Sequence, residues 1–196
     1  SYIQQNFFMA AGSVSSDYLI LANSNTLPIT DMYSQNHYSG TVTPMYPGNA
    51  IKLSQSFEGD GGTLDSVYWL LEKTGSPTGN AVCYIYAEAH ATAYGTDSLP
   101  TGAILATSAN VAVSGLGAMA MVKFVFTGAE KITLVDGTKY CAVIAHTGTD
   151  GSNCLYVGCN NDSPTHAGNY GSYDVAWAAD AGADNCFFVY TDSAMT

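Results

Sequence analysis

Charged residues are scarce in this chain, and basic ones most of all. The 196 residues include five Lys and Arg against 16 Asp and Glu, which gives a formal net charge of −11. A groove that follows phosphates, or a surface that binds anionic lipid, needs clustered basic side chains. We therefore predict no binding to nucleic acid and no attraction to acidic membranes. Only 11% of the residues are charged, so Ser, Thr, Asn, Gly and Tyr must form the polar surface, a composition that favours exposed β-sheets and adhesive surfaces.

Long apolar runs are also missing. No stretch approaches the roughly 18 apolar residues of a membrane-spanning helix, so we expect no membrane insertion. The early segment FFMAAGSVSS has neither the basic start nor the apolar length of a secretory signal. A hydrophobic fraction of 47% nevertheless excludes general disorder and predicts a packed core.

Motifs that carry catalysis are absent from the sequence. There is no Gly-x-Ser-x-Gly elbow, P-loop or dinucleotide fingerprint. The histidines lie outside metal-binding spacings, and we interpret them as solvent-exposed or hydrogen-bonded: His37, His90, His146 and His166. These observations predict a protein that is not an enzyme.

Five cysteines occur, an odd number. Cys83 and Cys141 lie within apolar strand patterns, where a free thiol behaves as a small buried hydrophobe. Cys154 and Cys159 match no standard zinc spacing. One disulfide among Cys154, Cys159 and Cys186 is an alternative, but we expect free buried thiols.

The clearest pattern is period-two alternation between residues 119 and 146. Large apolar residues recur there at every second position: Val122, Phe124, Phe126, and again Tyr140, Ala142 and Ile144. Asp136-Gly137 separates the two runs, as a hairpin turn does. Similar runs elsewhere suggest about nine or ten short strands, typical of an all-β antiparallel sandwich or barrel.

The same alternation predicts several local features. Ile51, Leu53 and Phe57 share one face of a strand whose apolar stripe Gln55 interrupts, and Trp69 is predicted to lie in the core. We interpret 99–102 as the end of a loop, 132–134 as part of a strand, 158–171 as irregular, and 173–177 as one strand.

Residues 1–48 differ from the rest because they are polar, rich in Tyr and punctuated by proline. SYIQQNFF and the segment containing YLIL are candidate short strands. Pro28, Pro44 and Pro47 favour extended or turn backbone. Two readings stay open: an extended N-terminal arm that docks on the domain or on a partner, or the first strands of the sandwich that 49–196 forms.

The second part of the chain resembles a β-sandwich module. The segments that carry the likeness are SQSF at 54–57, GGTL at 61–64, VYWLLEKTGSPTGN at 67–80, YIY at 84–86, PTG at 100–102, LATS at 105–108, VKFVF at 122–126, LVDGTKY at 134–140 and FFVY at 187–190. Together they resemble the jelly-roll modules called choice-of-anchor domains, found in bacterial surface proteins and phage virion proteins. The resemblance implies a jelly-roll-like antiparallel sandwich with no catalytic residues.

Two sets of residues are candidate sites. Loop aromatics with polar neighbours suit sugar stacking or a subunit interface: Tyr94, Tyr156, Tyr170, Tyr173 and Trp177. Three aspartates near glycine or asparagine offer weak Ca²⁺ ligands: Asp60, Asp150 and Asp162. None of the three matches an EF-hand loop, and turn formation explains them without an ion, so we expect no cofactor.

These observations lead to a functional expectation. The resemblance, the missing secretory signal and the polar N-terminal segment favour a non-enzymatic virion structural protein: a phage-like capsid decoration, head fibre or tail adhesin subunit. Its partners are expected to be other virion proteins or its own copies in a homo-oligomer, with adhesion to surface glycans as a further role. The alternative is a secreted carbohydrate-binding module of a bacterial surface protein, located outside the cell.

Overall fold

The computed structural model describes residues 29–148 and 150–192. The candidate strands in the first 28 residues lie outside the described part. The described residues form fourteen strands and three short 3-10 helices, at Gln35–His37, Val113–Gly115 and Gly128–Glu130. The strands are β1 Ile29–Tyr33, β2 Thr41–Met45, β3 Lys52–Glu58, β4 Thr63–Thr74, β5 Asn80–Ala89, β6 Leu99–Thr107, β7 Val111–Ala112, β8 Ala120–Val125, β9 Lys139–Ala145, β10 Cys154–Asn160, β11 Tyr170–Tyr173, β12 Trp177–Asp180, β13 Asp184–Asn185 and β14 Phe187–Asp192.

Two antiparallel sheets pack face to face, which confirms the predicted all-β antiparallel sandwich. In the first sheet, β4 pairs with β8 on one edge and with both β14 and β10 on the other. Strand β1 then pairs with β14, and β2 pairs with β10. The second sheet has the order β12-β11-β3-β9-β5-β6, with β7 also beside β5.

The described part of the N-terminal segment belongs to the first sheet. Met32 of β1 lies opposite Phe188 of β14, and Val42 of β2 lies opposite Gly158 of β10. Both strands are on the outer edge of the sheet. Pro44 is tolerated there because one side of an edge strand needs no backbone N–H for pairing. Residues 29–33 and 41–45 therefore supply two strands of the first sheet.

The core lies between the sheets and follows the period-two pattern. Val67, Trp69 and Leu71 of β4 are buried, and Phe57, Phe124 and Phe187 from other strands are buried with them. Side chains alternate across a strand, so these positions share one face of the sheet. The prediction that Trp69 lies in the core is confirmed.

Four of the local interpretations need correction. The segment 158–171 is irregular only between its ends, because β10 extends to Asn160 and β11 begins at Tyr170. Residues 173–177 are not one strand: β11 ends at Tyr173, and a turn that Asp174 stabilises by accepting the Gly48 N–H at 3.1 Å leads to β12. The 99–102 segment begins β6, whose Pro100 is accommodated at a sheet edge beside two register shifts. Within 132–134, only Thr133 forms an isolated bridge.

Candidate binding surfaces

Two of the predicted loop aromatics form a pair on the hairpin of β11 and β12. The ring centroids of Tyr173 and Trp177 are 5.3 Å apart. Lys52 places its Nζ 5.2 Å from the Tyr173 ring centroid. Val175, at the tip of the same hairpin, is 88% exposed. A half-buried ring pair beside a cation and polar turn residues can stack on a sugar or on another protein through its accessible part.

The other three predicted aromatics lie elsewhere. The prediction that Tyr170 is a loop aromatic is wrong. Tyr170 begins β11 and is buried in the core, where its hydroxyl lies 3.3 Å from Thr43 Oγ1. Tyr156 is half-buried in the middle of β10, opposite Pro44 and Glu72. Tyr94 is half-buried in the loop after β5. The five residues therefore do not form one surface.

A larger aromatic surface covers the outer side of the first sheet, and the sequence analysis missed it. The half-buried rings of Tyr68, Phe188 and Tyr190 contact one another, with centroid distances of 6.5 Å, 5.2 Å and 6.1 Å. Tyr68 lies between buried Val67 and Trp69, so strand alternation directs it outward. We call these three residues the outer aromatic cluster.

The outer aromatic cluster belongs to a row of side chains that crosses four strands. Met32, Phe188, Tyr68 and Lys123 lie opposite one another in the registers of β1, β14, β4 and β8. Lys123 Nζ lies 5.8 Å from the Tyr68 ring centroid and 3.6 Å from Asp65 Oδ2. A recess of about 500 Å³ adjoins this row, and its walls include Tyr38, Leu70, Met119 and Met121.

Burial changes the ionisation of groups on this surface. Burial raises the pKa of the Tyr190 hydroxyl, and the neighbouring Tyr68 adds to the effect. At Asp65, burial favours the protonated form, but the hydrogen bonds from Lys131 and Ser66 and the positive charges of Lys131 and Lys123 together outweigh it and hold the pKa below its usual value. The surface therefore presents a neutral Tyr190 phenol beside charged groups of both signs.

The three candidate calcium ligands lie in three different turns. Asp60 accepts the Gly62 N–H at 2.9 Å, and Asp150 accepts the Ser152 N–H at 2.7 Å. Asp162 follows the end of β10 and is exposed. Among residues 29–148 and 150–192, no group of three or more His, Cys, Asp and Glu side chains is placed to hold a metal ion. The three aspartates therefore do not share one coordination sphere for Ca²⁺.

All five cysteines are free and buried, as predicted. Burial raises the pKa of the Cys83 thiol to about 12, although the Trp69 N–H donates to its sulfur at 3.4 Å. Burial likewise raises the pKa of Cys186 to about 12. At neutral pH these thiols are protonated, and only the thiolate is a strong nucleophile.

The four histidines are hydrogen-bonded, as predicted. His90 Nδ1 lies 2.9 Å from Glu88 Oε1, and His37 Nδ1 lies 3.4 Å from Ser34 Oγ. His146 is buried with its Nε2 at 3.2 Å from the Thr78 carbonyl oxygen. The His166 side chain is only 6% exposed and lies 3.0 Å from Asp31.

His146 should make stability depend on pH. Burial lowers its pKa below the ordinary 6.5, against the hydrogen bond to Thr78. His146 in the unfolded chain then binds a proton more readily than in the folded protein. Its contribution to folding stability is therefore complete above pH 6.5 and is lost as the pH falls below that value. The His146→Gln variant can keep a donor to the Thr78 carbonyl oxygen, but it removes this titration. Its free energy of unfolding, measured with denaturant at pH 8, 6 and 5, should therefore fall less as the pH is lowered than that of the wild type.

His90→Gln is the matched control for this prediction. The His90 side chain is 38% exposed, so this variant makes the same substitution at a histidine outside the core. If the stability of His146→Gln fell with pH as steeply as that of the wild type, His146 would not be the source of the pH dependence.

The class of molecule is an all-β antiparallel sandwich that bears two separate aromatic surfaces. Helices in the described part of the chain lack the length and apolar character that crossing a bilayer requires. No family model matches the chain, and no curated protein matches it either. The likeness to choice-of-anchor modules stays a prediction that rests on the sequence segments that carry it.

Proposed function

We propose that the protein is a non-enzymatic structural subunit of a phage-like virion, displayed on the particle surface as a capsid decoration, head fibre or tail adhesin subunit. It acts through protein–protein contacts, chiefly with its own copies. The observation that carries this proposal is the outer aromatic cluster. Tyr68, Phe188 and Tyr190 bring three rings together on a sheet face, and aromatic residues are enriched at protein interfaces.

A second copy of the chain suits this face because the face carries complementary features. Lys123 and Asp65 place charges of opposite sign beside the rings. In a two-fold contact, Lys123 of one copy can face Asp65 of the other, since each patch meets its own equivalent. The recess beside Leu70 and Met121 adds a concave apolar feature that a projecting side chain can enter.

The test is the oligomeric state of a charge variant. Phe188→Lys places a charge within the outer aromatic cluster, where desolvating it costs several kcal/mol. We expect wild-type protein to form a homo-oligomer by light scattering after size-exclusion chromatography, and Phe188→Lys to dissociate at least tenfold more readily.

Val175→Lys is the matched control, because it introduces the same charge at an exposed apolar residue of the other sheet. It should assemble as the wild type does, and thermal unfolding should show that both variants are folded. A wild-type protein that is monomeric at every concentration would contradict the proposal, as would a Phe188→Lys protein that assembles normally.

Glycan adhesion is the second candidate, either as a further role on the virion or in a secreted carbohydrate-binding module of a bacterial surface protein. The pairing of Tyr173 with Trp177 favours it, because two half-buried rings at an angle can form a stacking platform at the surface. On a glycan array, wild-type protein should bind a subset of sugars, and Trp177→Ala should lose that binding. Phe188→Lys should keep it. An array on which wild-type protein binds no sugar would count against this candidate.

A further inference from the structure

A cavity of about 390 Å³ opens beside β1, and Met32, at one end of the row that holds the outer aromatic cluster, is among its lining residues. Its walls come from β1, the end of β3, and the loops that follow β5 and β10. The volume falls within the range of about 300–1,000 Å³ that is typical of small-ligand sites. Six of its wall residues are aromatic, imidazole or acidic: Asp31, Tyr33, His37, Glu58, Tyr94 and His166.

Hydrogen bonds fix the ring of His166 in one tautomer. The backbone N–H of Gly168 donates to His166 Nδ1 at 3.0 Å, so Nδ1 carries no proton in the neutral ring. Gln55 Nε2 also lies 3.2 Å from Nδ1. The proton is therefore on Nε2, which donates to Asp31 Oδ1 at 3.0 Å. Because both ring nitrogens are occupied, His166 orients Asp31 and is not free to act as a base.

The Asp31 carboxylate is held by one oxygen and leaves the other for a ligand. Oδ1 accepts from His166 and from the Met32 N–H at 2.8 Å. Among the residues that the structure describes, Oδ2 has only a long contact of 3.4 Å from the Glu58 N–H. The Asp31 side chain is 23% exposed. An ionised acceptor with a free lone pair faces the cavity and selects for a donor or a cation.

The remaining charges and rings also favour a cation. Two carboxylates line the cavity, Glu58 and Asp31. Glu58 is ion-paired with Lys139, so Asp31 is the carboxylate without a lysine partner. Among the described residues that line the cavity, none is a lysine or arginine. Tyr33 and His37 stack with their centroids 4.3 Å apart and form an aromatic wall.

The structure contains an internal example of the same recognition. Lys139 Nζ lies 4.6 Å from the ring centroid of Tyr94 while it pairs with Glu58. A tyrosine ring and a carboxylate at the edge of the cavity thus already bind one ammonium group. Rings and carboxylates that surround a cation are the recognised way to hold alkylammonium ligands.

From this geometry we infer that the cavity binds an alkylammonium group, the charged end of a small amine or of a lysine side chain. Asp31 Oδ2 accepts its N–H groups or faces its methyl groups, and Tyr33 and Tyr94 contact its carbon atoms. The inference does not depend on the proposed virion role, because none of Tyr68, Phe188 and Tyr190 lines the cavity, although their neighbour Met32 does.

The experiment is isothermal titration calorimetry of the 196-residue chain with three probes: choline chloride, Nα-acetyl-lysine methylamide and glucose. We expect saturable one-to-one binding of at least one cation, with a dissociation constant on the order of millimolar, and no comparable binding of glucose. Choline alone would identify a methylated small amine, and the lysine analogue alone would identify a lysine side chain. Either result supports the shared chemistry.

Two pairs of variants make the test specific. Asp31→Asn keeps an acceptor for His166 and Met32 but removes the charge, and it should weaken binding at least tenfold. Asp162→Asn, an exposed control, should bind as the wild type does. Tyr94→Leu should lose affinity that Tyr94→Phe retains, because only the latter keeps a ring. Failure of both cations to bind, an unaffected Asp31→Asn variant, or glucose that binds as tightly as the cations would each overturn the inference.

Discussion

Replacing Gln55 by leucine should destabilise the fold by about 2–6 kcal/mol, because it leaves two buried polar groups without partners, at about 1–3 kcal/mol each. Gln55 Nε2 donates to Asp184 Oδ1 at 2.9 Å, and Gln55 Oε1 accepts the Asn185 N–H at 2.8 Å. Gln55 and Asn185 are fully buried and Asp184 almost so. Leucine is similar in size but can satisfy neither group. The measurement is the free energy of unfolding by denaturant at pH 7.

A second readout separates this cause from simple loss of packing. Burial raises the pKa of Asp184, and the hydrogen bond from Gln55 lowers it in part. Without that donor, the Asp184 pKa should rise further in a Gln55→Leu protein, as carboxyl NMR titration would show. Gln35→Leu applies the same substitution at an exposed position and should change stability by less than about 0.5 kcal/mol. Equal stability losses in the two variants would contradict the role of Gln55.

Replacing Trp69 by alanine should cost about 3–5 kcal/mol, the range for large aromatic residues removed from a core. Trp69 is fully buried, and its ring lies 6.3 Å from that of Phe187, centroid to centroid. The substitution leaves a cavity between the sheets and removes the N–H that donates to Cys83. Denaturant unfolding followed by far-UV circular dichroism measures the loss.

The chain offers a matched control, because it has two tryptophans. Trp177 lies on the β11–β12 hairpin next to Tyr173 and outside the core. Trp177→Ala should cost about 1 kcal/mol or less. If Trp177→Ala were as destabilising as Trp69→Ala, the assignment of Trp69 to the core would be wrong.

The sandwich was predictable because its signal is local. Alternation around Val67, Trp69 and Leu71 can be recognised within a few residues, and it defines which face is buried. The same alternation places Tyr68 outward, so the sequence held one member of the outer aromatic cluster. It could not show that Phe188 and Tyr190 join Tyr68, because these residues are more than 100 positions away along the chain and meet only through the pairing of β4 with β14.

The contacts of the polar residue Gln55 could not be predicted either, because its partners are distant in the sequence. In the sequence it only interrupts an apolar stripe, whereas in the structure it joins β3 to β13. His166 likewise looked like an isolated loop histidine. Its partners Asp31 and Gln55 come from β1 and β3, so the cavity they form with Tyr94 could not be recognised before the strands were assembled.

The central claim is that the outer aromatic cluster joins copies of this chain, and hydroxyl-radical footprinting of the native assembly tests it most directly. Side-chain oxidation would be compared between assembled wild-type protein and the dissociated Phe188→Lys variant. The account predicts that Tyr68 and Tyr190 are protected in the assembly, while Tyr173 and Trp177 react equally in both samples. Outer-cluster rings that react as readily in the assembly as in the dissociated variant would contradict it.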